Sequence, residues 1–468
     1  MPPLPPPSSA RTFVLPARSA TLAAEADVLV VGGGPAGLGA ALGAAAAGAR
    51  VVLVERYGFL GGNATAALVM PLMSFHTRRA GTIAFEPTDI VPWDHGVGDP
   101  VVAGVVRTLL DRLVTAGAAL VPSERTGFTV PFDPEGFKQV ALELLDEAGV
   151  EFLFHALATD VVGAGPEAVG FATKSGPLVI AARMIVDCTG DGDLASLAGV
   201  PYEVGREPDQ LVQPMTLMFR MAEFDAAGFA DYVRAHPDQW HGVHGLWDLV
   251  AQAAAAGELD LPREDILFFG TPHAHEVSVN STRVVGALGI SVWDLTRAEW
   301  QSRRQMRQIV EFLRRRVPGF ERAYAVQSGV TVGVRETRRI VGEYQLTADD
   351  VLSARKFDDV IARSTYPIDI HNPLGPGTVL RRLPPGESYD IPLRCLVPQG
   401  AERLLVAGRC ISGTHEAHSS YRIMPVAMAT GQAAGVCAAL AARSGKDARE
   451  VPAADVQAEL VRQGASLR

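Results

Sequence analysis

The chain is poor in cysteine: only Cys188, Cys395, Cys410 and Cys437 occur in 468 residues. No pair is spaced C-x-x-C or C-x4-C, which excludes a zinc ribbon and a dithiol reductase centre and points to a reducing, cytoplasmic setting. A basic surplus is also missing. The 52 acidic and 42 basic side chains leave a formal charge of −10, the wrong sign for a chain whose main partner is nucleic acid. The arginines at Arg303, Arg304, Arg307, Arg314, Arg315 and Arg316 read as a solvated helix face. Residues 1–24 are rich in proline and serine without the apolar core of a signal peptide, so a disordered leader is expected. No membrane span is expected either. Pro425–Ala442 comes nearest and carries a GxxxG pair, Gly431 and Gly435, but it is alanine-rich and interrupted by Thr430 and Gln432. It is short of about 20 residues and reads as a buried helix packed closely by small residues.

Glycine is what the chain has in excess, with 47 residues. No Gly-X-Y period runs through it, so these glycines belong at particular turns and close backbone approaches. The first such place follows the apolar strand Asp27–Val31. Gly32-Gly-Gly-Pro-Ala-Gly37 then opens an alanine-rich helix reaching Gly48, and a second apolar strand spans Arg50–Glu55. Strand, glycine turn, helix and strand in about thirty residues make a βαβ unit, which requires a parallel sheet. Gly32 permits the turn, Gly34 admits a pyrophosphate, and Gly37 allows helix–strand contact, with Pro35 and Ala36 between them. Glu55, eighteen positions beyond Gly37, is placed to accept ribose hydroxyls, with Arg56 beside it. Gly163-Ala-Gly-Pro-Glu-Ala168 nearly repeats the fingerprint but lacks its third glycine and precedes a strand, so it reads as a hairpin turn. No second dinucleotide site is expected.

Helical spacing recurs at Val105–Ala116 and Asp133–Ala148, and short strands form a meander over 152–186. Met184–Val186 runs into Asp187-Cys-Thr-Gly-Asp-Gly-Asp193. From about Pro201 polar and aromatic residues rise, and His275–Asn280 reads as a strand. Thr296 and Glu299 suggest a capping box starting a helix that stops before Pro318. The strand Leu404–Ala407 leads into Gly408, and a last long helix runs from Pro425 to near Gly445.

Together with Gly61-Gly-Asn63, Gly333-Val-Arg-Glu-Thr-Arg-Arg339 and Gly408-Arg-Cys-Ile-Ser412, these motifs resemble the FAD-dependent oxidoreductase family. That family sits in the glutathione-reductase-like superfamily, which includes fumarate reductase. The resemblance implies an α/β fold: a Rossmann-like FAD-binding domain from residues 25–200 and 396–445, with an inserted α+β substrate domain over 201–395 and a C-terminal tail at 446–468. It implies that Gly61, Gly62 and Asn63 pass the pyrophosphate and flavin edge, and that Leu157 or Ala158 frames the adenine. Gly190 and Asp191 would follow the strand beneath the cofactor, and Gly408 and Arg409 would lie beside the ribityl chain. An acidic residue is common at the place of Arg409, which leaves its hydrogen-bond role open. The start of the last helix, near Met424, would face the flavin pyrimidine.

For substrate chemistry the densest constellation is His415-Glu-Ala-His-Ser-Ser-Tyr-Arg422. His415 or His418 can act as general acid or base near neutral pH, Tyr421 adds a phenol, and Arg422 can clamp a carboxylate bidentately. Arg335 is the preferred member of the second charged cluster, either as a substrate or flavin contact or in a buried ion pair with Glu336. The expected activity is hydride transfer between a polar small organic substrate and flavin N5, as a dehydrogenase or C=C reductase. A flavin monooxygenase and an electron-transfer flavoprotein are the alternatives. No metal site is expected. A small-molecule substrate, an electron acceptor of unspecified kind and a possible homo-oligomer complete the expected partners.

Overall fold

The computed structural model describes residues 3–7, 12–79, 90–91, 96–163, 165–207 and 209–468. Its central sheet is built on β1 (Thr21–Val31), followed by helix α1 (Pro35–Ala46) and strand β2 (Val51–Val54). Val28–Val31 and Val51–Val54 are all buried, as central parallel strands covered on both faces must be. β1 pairs in parallel with β2, with Val28 opposite Val51, and β2 pairs in parallel with β3 (Glu151–Leu153).

On the other side β1 pairs in parallel with β6 (Gly176–Asp187), the longest strand. The two halves of β6 have different outer neighbours. Its first half pairs antiparallel with β5 (Ala168–Thr173), itself antiparallel to β4 (Leu157–Val162). The second half pairs in parallel with β11 (Leu404–Val406). The Gly163 turn therefore joins two antiparallel strands and leads into no helix. β1 begins earlier than the leader expected over 1–24 would allow, because Thr21 and Leu22 pair with Leu178 and Val179 of β6.

The inserted sheet contains β7 (Phe219–Ala222), β8 (Ile266–Gly270), β9 (Glu276–Val279) and β10 (Tyr324–Ser328), all antiparallel. Its core is aromatic: Phe224, Phe229, Phe268 and Phe320 meet at ring distances of 4.7–6.4 Å. Helix α2 (Val292–Arg316) supplies Ile309, Phe312 and Leu313 to it. Thr296 does not cap this helix. Ser291 does, its hydroxyl accepting from the Asp294 N–H, while Thr296 lies in the second turn and donates to the Val292 carbonyl.

Two expected boundaries move. This second core runs from Phe219 to Ala323, whereas Ile340, Val351, Ile361, Tyr389 and Ile391 pack in the first core, so residues 340–395 join the central sheet's side. The expected tail at 446–468 contains a helix, Ala453–Arg462, whose Val456 and Leu460 are fully buried in that core. Its apolar face needed a partner, and the long helix α4 (Met424–Ser444) packs against it.

Helix α4 is long and apolar enough to cross a membrane by length and composition, but it is an interior helix packed against α1. Glycines on both helices allow the contact. A Cβ on Gly431 would lie 2.0 Å from the Ala36 carbonyl oxygen, and one on Gly435 would lie 2.0 Å from that of Ala40. Gly39 and Gly43 are equally pinned against Met428 and Gln432.

Candidate active site

The carboxyl ends of β1, β2, β6 and β11 open on a cavity of about 360 Å³. Such a crevice is where parallel α/β sheets hold nucleotides. Gly32, Gly34, Pro35 and Ala36 form one wall. Gly32 has φ 102° and sits so close to β6 that a Cβ would stand 2.3 Å from the Cys188 carbonyl oxygen. Gly37 lies behind the wall, where a Cβ would stand 1.7 Å from the Gly32 carbonyl oxygen. Gly34 caps α1 without any side-chain acceptor for the helix's first N–H groups. Those donors, at the positive end of the helix dipole, fit a pyrophosphate.

Glu55 and Arg56 form the next wall. Glu55 is buried and accepts from the N–H groups of Gly33 at 2.6 Å and Tyr57 at 2.9 Å. Burial raises its carboxyl pKa, and these N–H bonds and Arg56 oppose the rise. Gly62 faces the fingerprint so closely that its Cβ would lie 2.9 Å from Gly34 Cα, while Gly61 donates its N–H to the Gly33 carbonyl. Asn63 lines the cavity and donates to the Val334 carbonyl of the inserted unit at 3.4 Å. Leu157 and Ala158, at the start of β4, close the same end.

Gly190, Asp191 and Arg409 face one another across the cavity floor. Arg409 binds Asp191 at 2.6 Å, and Thr337 donates to the same carboxylate at 2.8 Å. The structure thereby gives Arg409 a role that the sequence left open: it is the counter-ion of Asp191. Gly408 stands behind the wall with φ 80°, its Cβ position 2.7 Å from Ala36. Met424 and Ala427 line the cavity at the start of α4, whose N-cap, Ile423, offers no side-chain acceptor.

At the far side the cavity reaches Arg422. Its terminal nitrogen makes only long contacts, 3.5 Å to the Asp369 carbonyl and 3.4 Å to its carboxylate, and its buried Nε has no partner among the described residues. Asp369 also accepts from the Tyr366 hydroxyl at 2.8 Å. Two further guanidiniums stand around it. Arg335 donates to the Pro214 carbonyl at 2.6 Å and Thr216 at 2.7 Å. Arg283 donates to the Gly375 carbonyl and holds Nδ1 of His371 at 3.1 Å. Burial, then Arg422 and Arg283, press the Arg335 pKa down to about 9, so it remains cationic at neutral pH. Burial and the arginines hold His371 far below the usual imidazole range. Because a guanidinium only donates, Nδ1 of His371 is an acceptor and its proton is on Nε2, 3.6 Å from Asp369.

The other candidates for substrate chemistry lie deeper. Tyr421 is fully buried, donates to the Ile411 carbonyl at 2.9 Å and fills the space left by Gly413, so it is a packing residue. His418 is fully buried and His415 is 5% exposed; neither lines the cavity. Arg335 is not paired with Glu336, which instead binds Arg339 and His415. Asp369, His371 and Tyr366 were missed because they come from a strand and the turn before it, far from every glycine motif. The one available signal was spacing: Asp369 and His371, two apart in a strand, share a face.

The description "FAD dependent oxidoreductase" belongs to a family model that matches residues 27–460. Comparison with curated proteins finds no match. Among solved structures the chain is similar to the flavin-dependent brominase Bmp2, at 12% identity and TM-score 0.47, over 94% of this chain and 84% of that one. A geranylgeranyl bacteriochlorophyll reductase-like protein from Thermoplasma acidophilum matches at 13% identity and TM-score 0.46, over 94% and 84%. The myxobacterial chondrochloren halogenase CndH matches at 14% and 0.45, over 94% and 79%. With its parallel sheet, uncapped α1 and buried Glu55 in place, the chain belongs to the FAD-dependent oxidoreductase family and uses FAD as its cofactor.

Proposed function

We propose that the enzyme exchanges a hydride between a small organic substrate bearing a carboxylate or similar anion and N5 of the flavin, as a dehydrogenase or C=C reductase. The observation that carries this reading is Arg422, a cavity-lining guanidinium whose Nε has no partner among the described residues and whose terminal nitrogen makes only long contacts to Asp369. Normal charge-assisted bonds are about 2.7–2.9 Å, so much of its donor capacity remains for a ligand. Arg335 and Arg283 add positive charge that Asp369 alone does not balance. An anion entering there would be held beside the cofactor, while the flavin supplies the redox chemistry. The cysteines are all free and buried, which suits a reducing compartment such as the cytoplasm.

Anaerobic addition of matched acids and their amides tests this reading: acids should bleach the flavin and amides should not. Equal bleaching by both would remove the anion clamp. The expected alternative, oxygen activation on the reduced flavin, uses the same clamp. Stopped-flow reoxidation separates the two, since an oxygenated flavin transient would assign the enzyme to the monooxygenases.

A further inference from the structure

Behind Arg422 lies a buried polar face that the proposed clamp does not use. His415, His418 and Arg422 are spaced i, i+3 and i+7 along helix α3 (His415–Tyr421) and its C-cap, so they share one side. At the inner end, His415 Nδ1 is 2.9 Å from Glu336, which is fully buried and also accepts from Arg339 at 2.6 Å and the Gln213 N–H at 3.1 Å. A carboxylate only accepts, so Nδ1 of His415 carries a proton, and in the neutral ring Nε2 carries the lone pair. This is the arrangement in which a carboxylate orients an imidazole as a base. That Nε2 has no partner among the described residues, and neither does either ring nitrogen of His418 or the hydroxyl of Ser412. Buried polar atoms of this kind are normally completed by internal water.

We propose that this face carries a file of internal waters from the flavin cavity to His415, and that the Glu336–His415 pair stores the proton released when substrate is oxidised. The inference rests on the hydride reading for the source of that proton. As a substrate C–H bond breaks, its electron pair leaves as hydride to the cofactor. The neighbouring O–H or N–H bond breaks, a C=O or C=N bond forms, and the proton passes through the file to His415 Nε2. Nδ1–H of the resulting imidazolium stays on Glu336. His418 conducts without holding charge: burial, then Arg339, Arg422 and Arg409, keep its pKa far below the ordinary range. The other ionisable groups on elements packed around α3 are Asp369 and His371 on the neighbouring strand with Tyr366 before it, Tyr389 behind it, Asp349 and Asp350 on the helix Ala348–Leu352, and Cys395 and Cys410 beside Tyr421. Glu336 and His415 are positioning and storage groups, not catalytic residues.

The test needs no substrate. The midpoint potential of the bound flavin, measured against pH around neutrality, gives the protons taken up with each electron pair. Wild-type holoenzyme should take up about one proton more than His415→Asn; equal slopes would overturn the proposal. Should His415→Asn fail to hold FAD, the wild type alone decides. In holoenzyme with ¹⁵N-labelled histidine, one buried ring should pass from the neutral Nδ1–H form to imidazolium on dithionite reduction, and no change in any ring would refute storage. An acid panel that fails to bleach the flavin would defeat the hydride reading and leave both results standing.

Discussion

Replacing Gly431 with alanine should damage stability and cofactor binding together. The added Cβ would sit 2.0 Å from the Ala36 carbonyl oxygen, more than an ångström inside an ordinary contact of 3.4 Å or more. Both partners are helix backbone, so α1 and α4 must separate. Overpacking of this kind costs about 1–3 kcal/mol, and the better helix propensity of alanine returns up to about 1 kcal/mol. With the full return the net loss is up to about 2 kcal/mol, which should lower Tm by a few degrees in differential scanning calorimetry. Ala36 and Ala427 both line the cavity, and Gly431 faces the first of them. The same change should therefore weaken FAD binding, read by flavin fluorescence on titrating the apoprotein. Gly435→Ala meets Ala40 one turn further from the cavity, and should lower Tm with a smaller effect on FAD. Wild-type Tm and FAD affinity in both variants would refute the close-packing argument.

Glu55→Gln replaces a carboxylate that accepts two backbone N–H groups at the cavity wall. Losing charge-assisted bonds worth about 1.5–3 kcal/mol should raise the FAD Kd roughly 10- to 100-fold in fluorescence titration. Asp187 is fully buried, and desolvation pushes its carboxyl pKa up from 3.8 to about 6. Its folded state binds the proton more tightly than the unfolded chain. The associated stability is thus fully present below about pH 4 and lost as pH rises through about 6, by about 3 kcal/mol. Denaturant titrations of wild type and Asp187→Asn should diverge over that window, and parallel pH profiles would contradict the assignment.

The nucleotide half of the cavity was legible in the sequence because short-range backbone requirements write themselves as local motifs. Gly32–Gly37 and Glu55 are separated by one helix, and Gly32, Gly33 and Gly37 answer to contacts that a side chain would block. The α1–α4 crossing was half legible: Gly431 and Gly435 announced close packing, but nothing named Gly39 and Gly43 as the opposing pair. The substrate side was far less readable. Arg283, Arg335, Asp369 and Arg422 converge from four distant segments, so no local motif brings them together. The same reason hid two of the partners of Glu336, Gln213 and His415, which lie 123 and 79 residues away from it. At Thr296, local chemistry misled because a second capping residue, Ser291, lies five positions earlier and its hydroxyl accepts from the Asp294 N–H.

The central claim is an anion clamp facing a bound flavin, and difference spectroscopy of the holoenzyme tests it most directly. Titration with malonate should perturb the visible flavin bands saturably, malonamide should not, and Arg422→Gln should weaken the malonate response at least roughly tenfold, the loss of one charge-assisted hydrogen bond. An Arg422→Gln enzyme that binds FAD and responds to malonate as the wild type does would contradict the account.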